Sequence, residues 1–129
     1  MGLFDKIFGK QDSASSKLDW KTLKSIDDLD AAIQRSYEVP VGIFKHSTRC
    51  SISSVAKSRL ERGWDFEDEQ AVEMYYLDLI AYREVSNAVA SKLGVHHESP
   101  QLILVKDGVD IYDASHSQIT VEELHEILG

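Results

Sequence analysis

Asp107-Gly108, set between the apolar runs Gln101 to Lys106 and Val109 to Tyr112, is the feature that most narrows the folds open to this chain. An Asp-Gly pair between strand-like runs marks a tight hairpin, because its second position tolerates positive φ. The last two strands are therefore antiparallel neighbours. Upstream, the strand-like runs are separated by helix-length stretches instead. Trp20 to Leu23, Val41 to Phe44 and Met74 to Ile80 read as strands. Between them Ile26, Leu29, Ile33 and Tyr37 recur at helical spacing behind Asp27-Asp28, which offer a cap and negative charge. Ser51 to Arg62 reads as a second helix, with Val55, Ala56 and Leu60 inward and Gly63 just past its end. Arg83 to Leu93 is a third, with Val85, Ala88, Val89 and Leu93 on one face and Gly94 as its C-cap. Thr120 with Glu123 is a capping box for a last helix carrying Val121, Leu124, Ile127 and Leu128.

Two βα crossovers followed by a hairpin and a covering helix predict an α/β fold with a central mixed sheet of four to five strands and helices on both faces. The order β-α-β-α-β-α-β-β-α is that of the thioredoxin-like fold, although periodicity alone also admits other α/β folds. The length of 129 residues suits one core. We assign residues 17–129 to that domain and 1–16 to a flexible N-terminal segment. Within it Phe4, Ile7 and Phe8 suit one amphipathic turn and Gln11 to Ser16 form a polar linker. A net charge of −8 argues against nucleic-acid binding, which relies on clustered Lys and Arg. The acidic excess is dispersed, apart from Glu67-Asp68-Glu69. The longest apolar run, Leu102 to Val105, is far too short for a bilayer. The start carries no secretory h-region, and Lys6 stands where a myristoylation signal needs Ser or Thr. A cytoplasmic monomer with no membrane association is the expectation.

The chain has one cysteine, Cys50, so neither an internal disulfide nor a Cys-rich metal site is available. A lone Cys is either a small buried hydrophobe or a nucleophile. Cys50 falls between a strand and a helix start, where free amides and the helix dipole favour a thiolate. Lys45, His46 and Arg49 add positive charge nearby, or else form a solvated basic edge. Ser53, three residues on, stands where dithiol oxidoreductases carry a second Cys. Its hydroxyl can donate to a thiolate but cannot resolve a mixed disulfide. Ser99-Pro100 precedes an apolar strand at the place where thioredoxin-fold proteins hold a cis-proline. That isomer would free the Ser99 backbone to pair with a substrate strand. His96-His97-Glu98 lacks a third ligand at usable spacing for a metal. One of these histidines instead suits an anionic ligand near the cysteine, or both are surface residues. Trp64 and Asp65 line a groove or pack a loop.

The segment Phe44-Lys45-His46-Ser47-Thr48-Arg49-Cys50-Ser51-Ile52-Ser53 resembles the active-site stretch of the YtxJ-type monothiol bacilliredoxins. So do Tyr76-Leu77-Asp78-Leu79-Ile80-Ala81-Tyr82-Arg83 and His97-Glu98-Ser99-Pro100-Gln101-Leu102-Ile103-Leu104. The resemblance spans roughly residues 18 to 128 and implies a cysteine that exchanges with bacillithiol, a low-molecular-weight thiol of some bacteria. It implies Cys50 and Ser53 as the catalytic pair, with Lys45, His46, Thr48, Arg49, Ser51, His97, Ser99 and Pro100 around the ligand. Bacillithiol is then a co-substrate whose malate carboxylates suit Arg49, Lys45 and either His46 or His97. The partners are bacillithiolated proteins, with no bound cofactor and no metal. The family pattern Thr-Cys-Pro-Ile-Ser is altered here to Arg49-Cys50-Ser51-Ile52-Ser53, which restores a backbone N–H at the first helical position. Thioredoxin's Trp before the cysteine and its second Cys are both missing, which argues against general dithiol reductase activity. Two other readings fit the same residues: an iron–sulfur carrier using Cys50 and an external thiol, and an interaction scaffold in which Cys50 is incidental.

Overall fold

Strand β2 (Val41–His46) is buried along its whole length, and the other elements are arranged to cover it. It pairs in parallel with β3 (Glu73–Asp78) on one side and antiparallel with β4 (Gln101–Lys106) on the other. The short β1 (Trp20–Thr22) extends the sheet beyond β3, and β5 (Val109–Ser115) extends it beyond β4. The order is β1-β3-β2-β4-β5. The computed structural model describes residues 18–67 and 71–128. The N-terminal segment 1–16, the boundary at 17 and Asp68-Glu69 of the acidic run lie outside the described residues.

Alternation along the strands divides the apolar residues between two cores. Val41 and Ile43 join Leu77, Ile103 and Val105 beneath α1 (Ile26–Arg35) and α3 (Arg83–Leu93), which supply Leu29, Ala32, Val85 and Val89. Phe44 joins Met74, Leu102 and Leu104 beneath α2 (Ser51–Gly63) and α4 (Val121–Leu128), which supply Ala56, Leu60, Val121 and Leu124. The mixed sheet, expected with four to five strands, forms with five, and helices cover both its faces.

Local chemistry sets the element ends, in several places differently from the sequence pattern. The cap of α1 is Ser25, whose Oγ accepts the Asp28 N–H at 3.0 Å. Asp27 and Asp28 occupy the first turn instead. Tyr37 lies beyond that helix and is exposed, because the helix ends at Arg35. Val55 does not face inward; it is 56% exposed on α2. Gly63 is the last residue of α2, followed by an extended Trp64. Strand β3 stops at Asp78, whose carboxylate accepts the N–H groups of Ile80 and Ala81 and turns the chain. Gly94 ends α3 in the left-handed region, as the pattern predicts. Asp107 and Gly108 both have positive φ, 54° and 80°, the requirement of a type I′ hairpin. Thr120 caps α4 by accepting the Glu123 N–H at 3.2 Å, but the Glu123 carboxylate accepts the Tyr112 hydroxyl instead of closing the box.

Candidate functional site

After β2 the chain turns through Ser47, Thr48 and Arg49, and the Cys50 N–H donates to the Ser47 carbonyl at 3.1 Å. Cys50 becomes the N-cap of α2, with extended backbone, and its carbonyl accepts the Ser54 N–H at 3.2 Å. A Ser, Thr, Asp or Asn side chain at such a position bonds a first-turn amide, worth about 1 kcal/mol. The Cys50 side chain makes no such bond. The first turns of α1, α3 and α4 carry Asp27 and Asp28, Glu84, and Glu122 and Glu123, whereas that of α2 carries no acid. The partial positive charge of this helix end therefore has only a partly exposed sulfur before it. An anion at that position would meet the positive end of the helix dipole.

The residue pairing places the second motif at the same edge. Gln101 opens β4 opposite Lys45 near the end of β2, and the Ser99–Pro100 peptide just before it is cis. Pro100 is buried, and its carbonyl accepts the His116 N–H at 3.3 Å. Thr48, Arg49 and Ser51 are exposed around the cysteine. Beside them Ser51, Ile52, Val55, Arg59, His116 and Ser117 line an open cavity of about 380 Å³. The outward turn of Val55 thus serves the surface next to Cys50 rather than the core.

The basic cluster read from Lys45, His46 and Arg49 is split by the pleat. β2 continues to His46, so Lys45 and His46 are both buried and point to opposite faces of the sheet. Only Arg49 of the three is exposed. On the α2 face, His46 Nδ1 lies 2.6 Å from Ser53 Oγ, which also accepts the Ser47 N–H at 3.1 Å. Burial, then Lys57, pushes the His46 imidazole below its usual value, so it is neutral at physiological pH. It stacks on Phe44 with centroids 5.9 Å apart and meets the tilted ring of Tyr76 at 5.4 Å. Ser53 is itself fully buried and ties the cysteine turn to this imidazole. On the other face, Lys45 Nζ lies 3.1 Å from Nδ1 of His97. Burial pushes the ammonium down to about 8. The His97 imidazole is also pushed down, by desolvation first and then by Lys45 and Arg83.

Of the remaining candidates, His96 is exposed on the loop before the cis peptide. Trp64 and Asp65 pack a loop. The Trp64 ring meets Phe66 at 4.8 Å, and Asp65 accepts from His125 Nε2 at 2.6 Å. Among the described residues no three His, Cys, Asp or Glu side chains gather closely enough to hold a metal, and no helix is long and apolar enough to cross a membrane. Arg83, which sequence reasoning did not single out, acts electrostatically on the His97 imidazole. Its signal is positional: it opens the helix that leaves the carboxyl end of a parallel strand, where α/β sheets gather ligand groups.

A lone cysteine capping a helix beside a cis-proline, on a β1-β3-β2-β4-β5 mixed sheet, defines the class: a redox protein of the thioredoxin fold. A solved structure described as a candidate oxidoreductase with a thioredoxin fold superimposes with a TM-score of 0.70 at 30% identity, covering 82% of this chain and 90% of that one. Malassezia sympodialis thioredoxin (TM-score 0.68, 15% identity, 88% and 90% covered) and Fasciola hepatica thioredoxin (0.62, 18%, 84% and 95%) share the fold. The family model described as Monothiol bacilliredoxin BrxC matches residues 21–124. The chain belongs to the monothiol bacilliredoxin family.

Proposed function

We propose that this protein removes bacillithiol from protein mixed disulfides through Cys50. The observation that carries the reading is the position of the chain's one thiol. It caps a helix with no first-turn acid, is partly open to solvent, and has Ser53 where a second cysteine would resolve the exchange. The Cys50 thiolate attacks the bacillithiol sulfur of the client's mixed disulfide. A new disulfide forms between Cys50 and bacillithiol, the old one breaks, and the client sulfur leaves as a thiolate that takes a proton from water. The client is reduced, and Cys50 carries the cap. A second low-molecular-weight thiolate then attacks the bacillithiol sulfur of that adduct, giving a small disulfide and restoring the Cys50 thiolate. Ser99, beside the cis bond, offers backbone groups to an extended client segment lying across the sulfur. Ser53, bonded to His46 and to the Ser47 amide, keeps the turn that presents Cys50 in one geometry. The test is release of a client thiol from a bacillithiolated protein, followed with a thiol reagent. Wild-type protein accelerates release, and Cys50→Ser does not. Equal release by the two would end the proposal.

A further inference from the structure

Ile52 and Val55 stand one turn apart on α2, 57% and 56% exposed, while the other apolar residues of that helix, Ala56 and Leu60, are in the core. The cavity beside Cys50 does not end at Val55. Val55 and Arg59 also line a second open cavity, of about 520 Å³, that takes in Ser54, Ser58 and Arg62. The two form one groove along α2, from Ser51, the residue after Cys50, to Arg62 in the last turn. Its chemistry is graded. The half next to the cysteine is apolar, from Ile52 and Val55, and the far half is basic, from Arg59 and Arg62. Arg59 is held in place, since its Nη1 donates to the Ile119 carbonyl at 2.9 Å. Among the described residues no carboxylate lines either cavity, although the chain carries a net charge of −8. The one acid of α2, Glu61, is held on the β1 side, where it accepts from Lys57 Nζ and from the Trp20 indole N–H, each at 2.7 Å.

We propose that this groove docks the client polypeptide: an extended segment with apolar side chains beside its capped cysteine and carboxylates about four to six residues away. The spacing follows from the helix. At about 1.5 Å per residue, Arg59 and Arg62 lie about 14 and 18 Å along the axis from Cys50. An extended chain at about 3.3 Å per residue covers that in about four to six residues. Ile52 and Val55 lose their exposed surface against the apolar positions, and the two guanidiniums pair with the carboxylates. The occupant is acidic because the groove has bases and no acid on its walls. The chain's own first ten residues, with Lys6 and Lys10 against Asp5, lack that complement. The inference rests on the exchange reaction proposed above and adds which clients that reaction reaches. The contact is with client side chains, not with the low-molecular-weight cap.

The test uses two peptides with a central bacillithiol-capped cysteine flanked on both sides by leucines. At the fourth to sixth positions on each side one peptide carries glutamates and the other glutamines. Release of the peptide thiol is timed at limiting peptide, which reads kcat/KM. The wild-type protein releases the glutamate peptide faster, by about fivefold at low salt. The ratio falls toward one in about 1 M NaCl, where charges reach only about 3 Å. Arg62→Glu, at an exposed position, brings the ratio to one or below, and Val55→Asp slows release of both peptides. Lys106→Gln, at the other end of the sheet from Cys50, leaves the ratio as it is in the wild type. A second arm needs no exchange: Cys50→Ser protein is titrated with the same peptides carrying serine for the capped cysteine. Amide NMR should show shifts from Ser51 to Arg62, larger with the glutamate peptide. Equal rates and equal shifts overturn the docking groove while leaving exchange at Cys50 standing. Shifts that favour the glutamate peptide with no exchange remove the reaction and support the groove. Groove amides that move with protein concentration alone, or on Phe8→Ser, would assign the groove to a second copy or to the chain's own N-terminal segment and overturn the client assignment.

Discussion

Replacing Lys45 with Met should make the protein more stable at neutral pH. Burial pushes the ammonium from 10.5 down to about 8. At about 1.4 kcal/mol for each pH unit, holding that charge in the folded state at pH 7 costs about 3 kcal/mol. Methionine keeps the apolar stem and removes the charge, but it also loses the bond to His97, worth about 1 kcal/mol. The net expectation is a gain of about 2 kcal/mol, which moves a urea midpoint up by about 1 M for a slope near 2 kcal/mol/M. The sign with pH follows from linkage. Between about 8 and 10.5 the unfolded chain holds the Lys45 proton more firmly than the folded one, so wild-type stability rises with pH across that window. The variant lacks that rise, so its advantage is full below pH 8 and gone by about pH 10.5. Tyr75, pushed up to about 12, titrates alike in both proteins and cancels in the difference. Urea melts of wild type and Lys45→Met at pH 7 and pH 10 measure it. A lower midpoint for the variant at pH 7, or the same gap at both pH values, would refute the idea that Lys45 is an uncompensated buried cation.

Ser53→Ala strips the partner from the Ser47 N–H and from His46 Nδ1, so it should cost about 1–3 kcal/mol in a urea melt. Asp110, pushed up to about 6 by burial and by Asp113, resists ionising in the folded chain. Asp110→Asn should therefore add about 1 kcal/mol at pH 7 and nothing near pH 4, which paired melts at those values will show. Gly108→Ala forces a side chain into φ +80° and toward the Tyr37 hydroxyl, and should lower stability by about 1–2 kcal/mol.

The hairpin, the βα crossovers and α3 were legible because each is written in local chemistry: Asp107-Gly108 for the turn, Gly94 for the helix end, apolar spacing for the faces. Cys50 was legible as a junction residue for the same reason. The fate of Lys45 and His46 was not. A lysine and a histidine end the apolar run after Phe44, so the pattern stops the strand where the structure continues it. Once the strand runs on, the pleat sends one side chain under α2 and the other toward His97, and neighbours in sequence become strangers in space. The Ser53–His46 and Lys45–His97 pairs span 7 and 52 residues, and no local rule announces either. Ser25 was overlooked as a cap because the acids after it carry the stronger charge signal, while the capping geometry belongs to the residue before the first helical turn.

Under the proposed function, the Cys50 sulfur takes a cap from another protein. The most direct measurement is peptide mapping of the chain after one exposure to a bacillithiolated client, with no other thiol present. The expected result is one bacillithiol on Cys50 for each client thiol freed, lost again when free bacillithiol is added. An unmodified Cys50 alongside a fully capped client would contradict it.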